Sequence, residues 1–393
     1  MQVNDETYRL TDSGGFDRRA LIVGVLGLLV SVAGYLLQPE RFFHAYLSAY
    51  VFWITIALGG LFFTMLHHLV DATWSVVLRR IVEQVMNTLP IFLILFLPLL
   101  LGFHELYHWS HQEAVAHDPL LQQKSAYLNI PFFLIRTAIY FLVWILLARS
   151  LQKSSLQQDS RHSESLTAKF RRVSAPGMLL FALTLTFMAF DWLMSLDAHW
   201  YSTIFGVYVF SGSVLAILAF ITLVVMALRR SGILTEQITV EHYHDLGKLL
   251  FAFTVFWAYI AFSQFMLIWY GNIPEETVWF KHRFEGGWKI ISFLILFGHF
   301  ILPFLGLITR AAKRNVKVLT GMAIWILLMH WVDIFWLVIP NYSHTLSFSW
   351  MDLTLTLGIG GVTLWYFWNR LSSHPLIPVG DPKLEESIEF ENQ

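Results

Sequence analysis

The chain has no cysteine. That removes disulfides, thiolate metal sites, iron–sulfur ligation and covalent haem c attachment from this chain at once. Charge is scarce as well. Only 13% of the 393 residues are Asp, Glu, Lys or Arg, about half of what a soluble domain uses to coat its surface. The formal net charge is −1, with no basic excess for a nucleic-acid partner. Phosphate-cradling glycine loops and dinucleotide fingerprints are missing. Ser, His and Asp occur without a triad-like arrangement. What the chain has in quantity is apolar residues, 56% of the total, with 16% aromatic.

The apolar residues fall in runs of about 20, the length that spans a bilayer. Ten such runs are expected: 20–37, 47–69, 84–103, 131–149, 174–194, 203–228, 248–270, 288–309, 317–338 and 350–370. The fold class is therefore an all-α polytopic membrane protein, a single integral membrane domain over 1–393. Residues 1–19 form a polar leader carrying Asp5, Glu6, Asp12 and Asp17. This leader is too long and acidic for a signal peptide, so the first run reads as an uncleaved helix. With the N-terminus inside, 20 of the 26 Lys and Arg fall in inner segments and five in outer ones. Positive residues concentrate on the cytoplasmic side, so both termini are expected in the cytoplasm. The inner loop 150–173 reads as polar and exposed, and the tail 371–393 as acidic and extended. The outer segments are rich in His, Trp and Tyr, residues that both interfacial anchoring and partner docking would select.

An ionisable group inside a spanning segment costs at least ~2.5–3.5 kcal/mol and by default marks a functional pathway. Sorted by depth, the inner group is His67, His68, Asp71, Glu83, His242 and His244. The central group is Ser263, Gln264 and His299, and the outer group Glu105, Arg136, Asp191, His330, Asp333 and Asp352. Imidazoles and carboxylates in series can relay protons. The candidate path is Asp191, Ser263, Gln264, His299, His330 and Asp333, with Arg136, His67, His68 and Asp71 as further members. It reads as two half-channels meeting near His299. Each residue also has a plainer reading. His67, His68, Glu83, Glu105, His242, His244 and Asp352 read as wet helix ends, and Arg136 as a buried partner of Asp191 or Asp333. His299 and His330 lie at depths that would also suit a haem b ligand pair. In the His-rich outer segment 104–117, His104, His108 and His111 would share a face if the helix continued, and could then hold zinc or copper.

Two stretches are distinctive. One runs Phe190-Asp191-Trp192-Leu193-Met194-Ser195-Leu196-Asp197-Ala198-His199-Trp200-Tyr201-Ser202-Thr203. The other is Phe256-Trp257-Ala258-Tyr259-Ile260-Ala261-Phe262-Ser263-Gln264, followed by Trp269-Tyr270-Gly271-Asn272-Ile273-Pro274-Glu275-Glu276. Over nearly the whole chain, these resemble the F-subunit family of bacterial alternative complex III. More broadly, the chain resembles membrane subunits of the NrfD and polysulfide-reductase type. The resemblance implies two four-helix bundles, spans 2–5 and 6–9, flanked by spans 1 and 10. It implies a bacterial cytoplasmic-membrane complex that oxidises menaquinol and passes electrons to an acceptor. Iron–sulfur clusters, haem c and menaquinol would belong to partners: a second, related membrane protein that oxidises the quinol, an iron–sulfur protein and c-type cytochromes. This chain would hold no cofactor or metal and would be a structural, candidate proton-conducting partner. A stand-alone secondary transporter and a purely structural anchor are the alternatives.

Overall fold

The computed structural model describes residues 2–4, 8–160 and 164–392. Leader residues Asp5 and Glu6 lie outside the described residues. Two short strands, β1 (Gln2–Asn4) and β2 (Arg9–Asp12), pair antiparallel ahead of the helices. Ten long helices follow: α1 (Phe16–Leu37), α2 (Pro39–Leu69), α3 (Val76–Leu101), α4 (Ile130–Ser160), α5 (Glu164–Trp192), α6 (Phe205–Arg230), α7 (Val240–Gly271), α8 (Trp288–Leu307), α9 (Val316–Val338) and α10 (Trp350–Ser372). Among the described residues nine helices are long and apolar enough to cross a membrane, α1 to α9. The protein is an all-α, multi-pass membrane protein. Helix α10 has 23 residues, but Gly, Thr and a terminal Asn-Arg dilute its apolar character.

The helix ends follow local chemistry. Thr239 caps α7 through a box with His242, and Ser349 caps α10 through one with Asp352. The Asn315 side chain accepts from the Lys317 and Val318 amides at the start of α9. Pro90 cannot continue the helical ladder, and α3 breaks at Asn87–Thr88. There the Asn87 side chain donates to the Glu83 carbonyl at 2.7 Å and Thr88 Oγ1 to that of Val85 at 2.7 Å.

Packing inverts the pattern of a soluble helix. Helix α1 turns Ile22, Leu26, Leu29 and Leu36 outward and Gly24, Ser31 and Gly34 inward, against α10. A methyl at Gly24 would sit 2.6 Å from the Val362 amide nitrogen, and one at Gly361 2.4 Å from that of Gly24. Only glycine permits such a crossing, as small-residue membrane interfaces require. Ser31 and Thr354 hydroxyls bond across it at 2.8 Å. Helices α2 and α6 form the central seam and are buried along most of their length. At their crossing Gly59 lies against the Ser213 carbonyl, and Ser213 Oγ donates to the Thr55 carbonyl at 2.6 Å. Around α2, contacts run α2–α3, α3–α4, α4–α5 and α5–α2. Around α6 they run α6–α7, α7–α8, α8–α9 and α9–α6.

Two expectations need correction. Residues 150–160 are not an exposed loop. Helix α4 runs straight through them and buries Ser154, Ser155 and Gln158. Nor is the tail extended into solvent. Its residues 374–392 cross the face that carries both termini. Pro375 bridges Arg9, and the Leu376 amide donates to the Tyr8 carbonyl at 2.8 Å. Asp381 pairs with Arg79, and Lys383 Nζ lies 2.9 Å from the Asp71 carboxylate. The Ser387 hydroxyl donates to the Trp74 carbonyl at 3.1 Å. His242 Nε2 donates to the Ser387 carbonyl at 2.9 Å, and Lys248 reaches Asn392 Oδ1 at 2.7 Å. The physical reason is that the arginines and free carbonyls at this face need partners, and the tail supplies both, Asp381 for Arg79 and the Ser387 hydroxyl and Lys383 ammonium for the Trp74 and Asp71 carbonyls.

The tail's hold depends on pH. The hydrogen bond from Lys383 holds the Asp71 carboxyl below the usual carboxylate range. Partial burial opposes this and Arg171 adds to it. A depressed folded pKa means docking is full above the ordinary Asp value of about 3.9 and weakens as pH falls through the lower folded value. Limited proteolysis should find the tail protected at pH 7 and progressively cut below about pH 4. Lys383→Ala should raise cleavage already at pH 7. Equal cleavage of both chains at every pH would refute the contact.

Candidate functional site

Among the described residues, the candidate ionisable groups of the membrane-spanning helices fall mainly into three separate clusters. On the face carrying the termini, Glu83 is fully buried rather than wet. Its carboxylate lies 3.2 Å from Arg79 Nε and 3.5 Å from Arg80 Nε, and accepts from Ser155 Oγ at 2.8 Å. Arg80 forks onto Asp159 at 2.7 and 2.9 Å, and Arg79 Nη2 donates to Gln158 Oε1 at 3.0 Å. His67 and His68 are buried beside this cluster. His67 Nδ1 bonds Ser75 Oγ at 2.7 Å, and His68 stacks on Phe170 with ring centroids 4.1 Å apart. The helical spacing puts both histidines on a face with Asp71, but α2 ends at Leu69. Asp71 takes a positive φ of 54° and turns outward to Arg171 and Lys383.

On the far side, Arg136 of α4 and Asp191 of α5 form a two-pronged pair, Nε to Oδ2 at 2.8 Å and Nη2 to Oδ1 at 2.9 Å. Tyr140 adds a third donor at 2.6 Å. Arg136 also donates to the Tyr127 carbonyl at 3.0 Å and lies 3.8 Å from that residue's ring centroid. Of the two possible partners for Arg136, the fold selects Asp191. Three donors converging on one buried carboxylate, two of them from a guanidinium, describe a structural ion pair. Asp352, read as a wet helix end, is buried and pairs with Arg41.

The third cluster lies among α6, α7, α8 and α9, with α2 at its edge. His330 and Asp333 stand one turn apart on α9, and both are buried. The Tyr208 hydroxyl of α6 donates to Asp333 Oδ1. One turn along α6, Gly212 leaves room for the His330 ring. A methyl there would lie 3.2 Å from His330 Nδ1. Thr55 Oγ1 gives its proton to the Phe52 carbonyl at 2.9 Å, so at 2.9 Å it accepts from His330 Nε2. In a neutral ring that places the proton on Nε2, and among the described residues the Nδ1 lone pair has no partner. His299 sits on α8 inside a π-helical turn, Ile295–Ile301, a distortion that recurs at functional sites. Its ring lies 4.0 Å from the Trp257 ring of α7 between centroids. His299 is completely buried, and among the described residues neither ring nitrogen has a hydrogen-bond partner. Leaving a buried donor unsatisfied costs roughly 1–3 kcal/mol. The Trp257 indole N–H approaches the Asp333 carboxyl without meeting hydrogen-bond geometry.

Above this cluster, in the short helix Pro274–Arg283, the Arg283 guanidinium is buried and, among the described residues, forms no ion pair with a carboxylate. It donates to the carbonyls of Trp279, Trp336 and Leu337 at 3.1, 3.3 and 3.0 Å and stacks 3.5 Å from the Trp279 ring centroid. Burial pushes its pKa down to about 9, with Asp197 and Tyr208 opposing, so it remains a cation at neutral pH.

Of the candidates read from the sequence, His299, His330 and Asp333 thus share one cluster. Gln264 lies nearer the far side and accepts from Ser202 Oγ at 3.1 Å. Ser263 is half-buried on α7, and among the described residues the bonds of this cluster do not include it. Asp191 and Arg136 form their own pair, and His67, His68 and Asp71 lie near the other face. Sequence reading passed over Tyr208, Trp257 and Thr55, which are neutral and indistinguishable from interfacial or packing residues in a chain this aromatic. The haem b pairing does not fit, because both nitrogens of His330 face protein, Thr55 on one side and Gly212 on the other. The outer histidines do not share a helix face either. The helix stops at Leu106, His104 bonds Ser110, and His111 donates to the His104 carbonyl. Among the described residues no group of three or more His, Asp or Glu is arranged to hold a metal.

Compared with known proteins, the chain matches no family model and no curated protein.

Proposed function

We propose that this chain is a membrane subunit of a respiratory quinol:electron-acceptor oxidoreductase of the alternative complex III type. It lies in the bacterial cytoplasmic membrane with both termini cytoplasmic. It partners the protein that oxidises the quinol and carries protons between α6, α7, α8 and α9. Iron–sulfur clusters, haem c and menaquinol belong to the partner proteins. The closed rings of helix contacts around α2 and α6 support two four-helix bundles, α2–α5 and α6–α9. The length of α10 and its glycine-tight seam with α1 support a tenth span.

The observation that carries the reading is His299. A fully buried imidazole that has no hydrogen-bond partner among the described residues, and whose ring meets Trp257 next to the Tyr208–Asp333 pair, is costly to keep and suits transient proton occupancy. Waters between these groups would complete the relay. Asp333 with Tyr208 is the far-side terminus, His330 with Thr55 branches to α2, and His299 is the mid-membrane step.

Purification of the tagged chain in mild detergent tests the assembly. Haem c bands in the reduced-minus-oxidised spectrum, with several co-purifying subunits and quinol oxidation, are expected. A colourless protein that runs alone would contradict the reading and favour a transporter.

A further inference from the structure

On the face opposite the termini, a pocket of about 470 Å³ lies between the start of α2, the segment after α3 and the end of α9. Glu40 and His44 enter it from α2, and His104 and Glu105 from the short helix Phe103–Leu106. His111 comes from the turn beyond, and Asn341 from the turn after α9. Among the described residues the lining contains no Lys or Arg. Arg41, next to Glu40 in sequence, is engaged by Asp352 and the Ser347 carbonyl.

The hydrogen bonds around the pocket determine what it presents. His44 is buried, and its Nδ1 faces the Glu40 carbonyl at 2.9 Å. That nitrogen must donate, so in a neutral ring Nε2 is a lone pair. Among the described residues this lone pair has no partner. His111 repeats the arrangement, with Nε2 donating to the His104 carbonyl at 2.9 Å and Nδ1 left as an acceptor. Ser110 Oγ gives its proton to the Tyr107 carbonyl at 2.6 Å. It therefore accepts from His104 Nδ1 at 2.9 Å, which leaves His104 Nε2 as an acceptor. The Asn341 NH2 group is spent on the Leu337 and Val338 carbonyls at 2.9 and 3.0 Å, which frees its side-chain oxygen. Glu40 and Glu105 form no ion pair among the described residues. The pocket thus gathers two carboxylates, three imidazole lone pairs and an amide oxygen, while its own donors are drawn away to protein oxygens. His108, at the exposed rim, keeps one N–H of its own.

Water can answer the lone pairs but brings no charge to the carboxylates. What complements this wall is a cation with several donors. A single metal ion does not fit, since it needs several ligand atoms about 2 Å from one point. Among the described residues no group of three or more His, Asp or Glu meets that demand. A guanidinium does fit. Its planar fork of N–H donors spans separate acceptors and grips a carboxylate with two bonds.

We infer that this pocket is a docking socket for an arginine side chain of a partner protein on the face opposite the termini, its guanidinium forking onto Glu40 and Glu105 and meeting the imidazole lone pairs. The chemistry of the socket rests on the donor count alone. That an assembled protein rather than a free solute supplies the arginine rests on the multi-subunit reading above.

The test replaces His108 with photo-reactive p-benzoylphenylalanine in the full chain and irradiates native membranes. The tagged chain is then purified and its cross-links mapped by mass spectrometry. A cross-link to one protein is expected, in a segment containing an arginine. Glu105→Arg fills the socket with its own guanidinium and repels the incoming one, so the yield should fall more than about tenfold, since like charges brought together cost several kcal/mol. Glu105 is exposed, so this variant should keep wild-type helical circular dichroism. Changing the mapped arginine to Glu in the Glu105→Arg background should restore the cross-link. Adducts confined to lipid or to the chain itself, a partner segment without arginine, or an unchanged yield in folded Glu105→Arg would each overturn the socket. So would stoichiometric zinc in the purified wild type that is lost in Glu105→Arg. An arginine contact from a protein in an assembly without haem would instead keep the socket while the respiratory reading failed.

Discussion

Replacing Asp191 by Leu is expected to be the most damaging single change, with a loss of about 3–5 kcal/mol. Three donors converge on this carboxylate, two from Arg136 and one from Tyr140. Its removal leaves a guanidinium buried among Tyr127 and Phe132 rings with no counter-charge. The cost lies mainly in that orphaned cation rather than in the lost attraction, because a well-paired buried ion pair roughly breaks even against apolar replacements. The double variant Arg136→Leu with Asp191→Leu should therefore recover most of the loss. Thermal unfolding in detergent, followed by circular dichroism, reads both. A double variant as unstable as the single one would mean the pair supplies more than charge balance.

His299→Phe should move stability the other way. Phenylalanine keeps the ring against Trp257 and removes two nitrogens that have no partner among the described residues. Deleting an unsatisfied buried polar atom should gain roughly 1–3 kcal/mol. Proton transfer through the cluster should fall on the order of 10²-fold, the usual scale for losing a positioned acid–base group. A gain in stability together with a loss of transport would mark His299 as a residue kept for function at a structural cost. A loss of both would mark it as packing. His299→Gln, which retains a polar group that can bond water but does not titrate, should stay impaired in transport.

The membrane architecture was legible because hydropathy is a local property. Nine of the ten expected runs appear as helices of spanning length and apolar composition, at nearly the expected positions. Helix ends were less so. Helix α4 continues to Ser160 because Ser155, Gln158 and Asp159 find partners on α3, and polarity alone had suggested a loop. Tail docking was hidden for the same reason, since an acidic segment says nothing about which arginines it meets. Within the candidate site, the ionisable members stood out as charges in apolar runs. Their grouping did not, because whether Arg136 meets Asp191 or Asp333 depends on which helices are neighbours. Tyr208 and Thr55 gave no signal in a chain with 14 tyrosines. The π-turn around His299 had none either, since its residues read as ordinary helix.

The most direct test of the central claim is the number of protons taken up per electron delivered, measured with the purified assembly in sealed liposomes for the wild type and for Asp333→Asn. Asn keeps the size of Asp and can still accept from Tyr208, but it cannot bind and release a proton. Electron delivery to the acceptor should then continue while proton uptake per electron drops. An unchanged ratio with full turnover would contradict a proton path through α6, α7, α8 and α9 and leave the chain as a structural partner only.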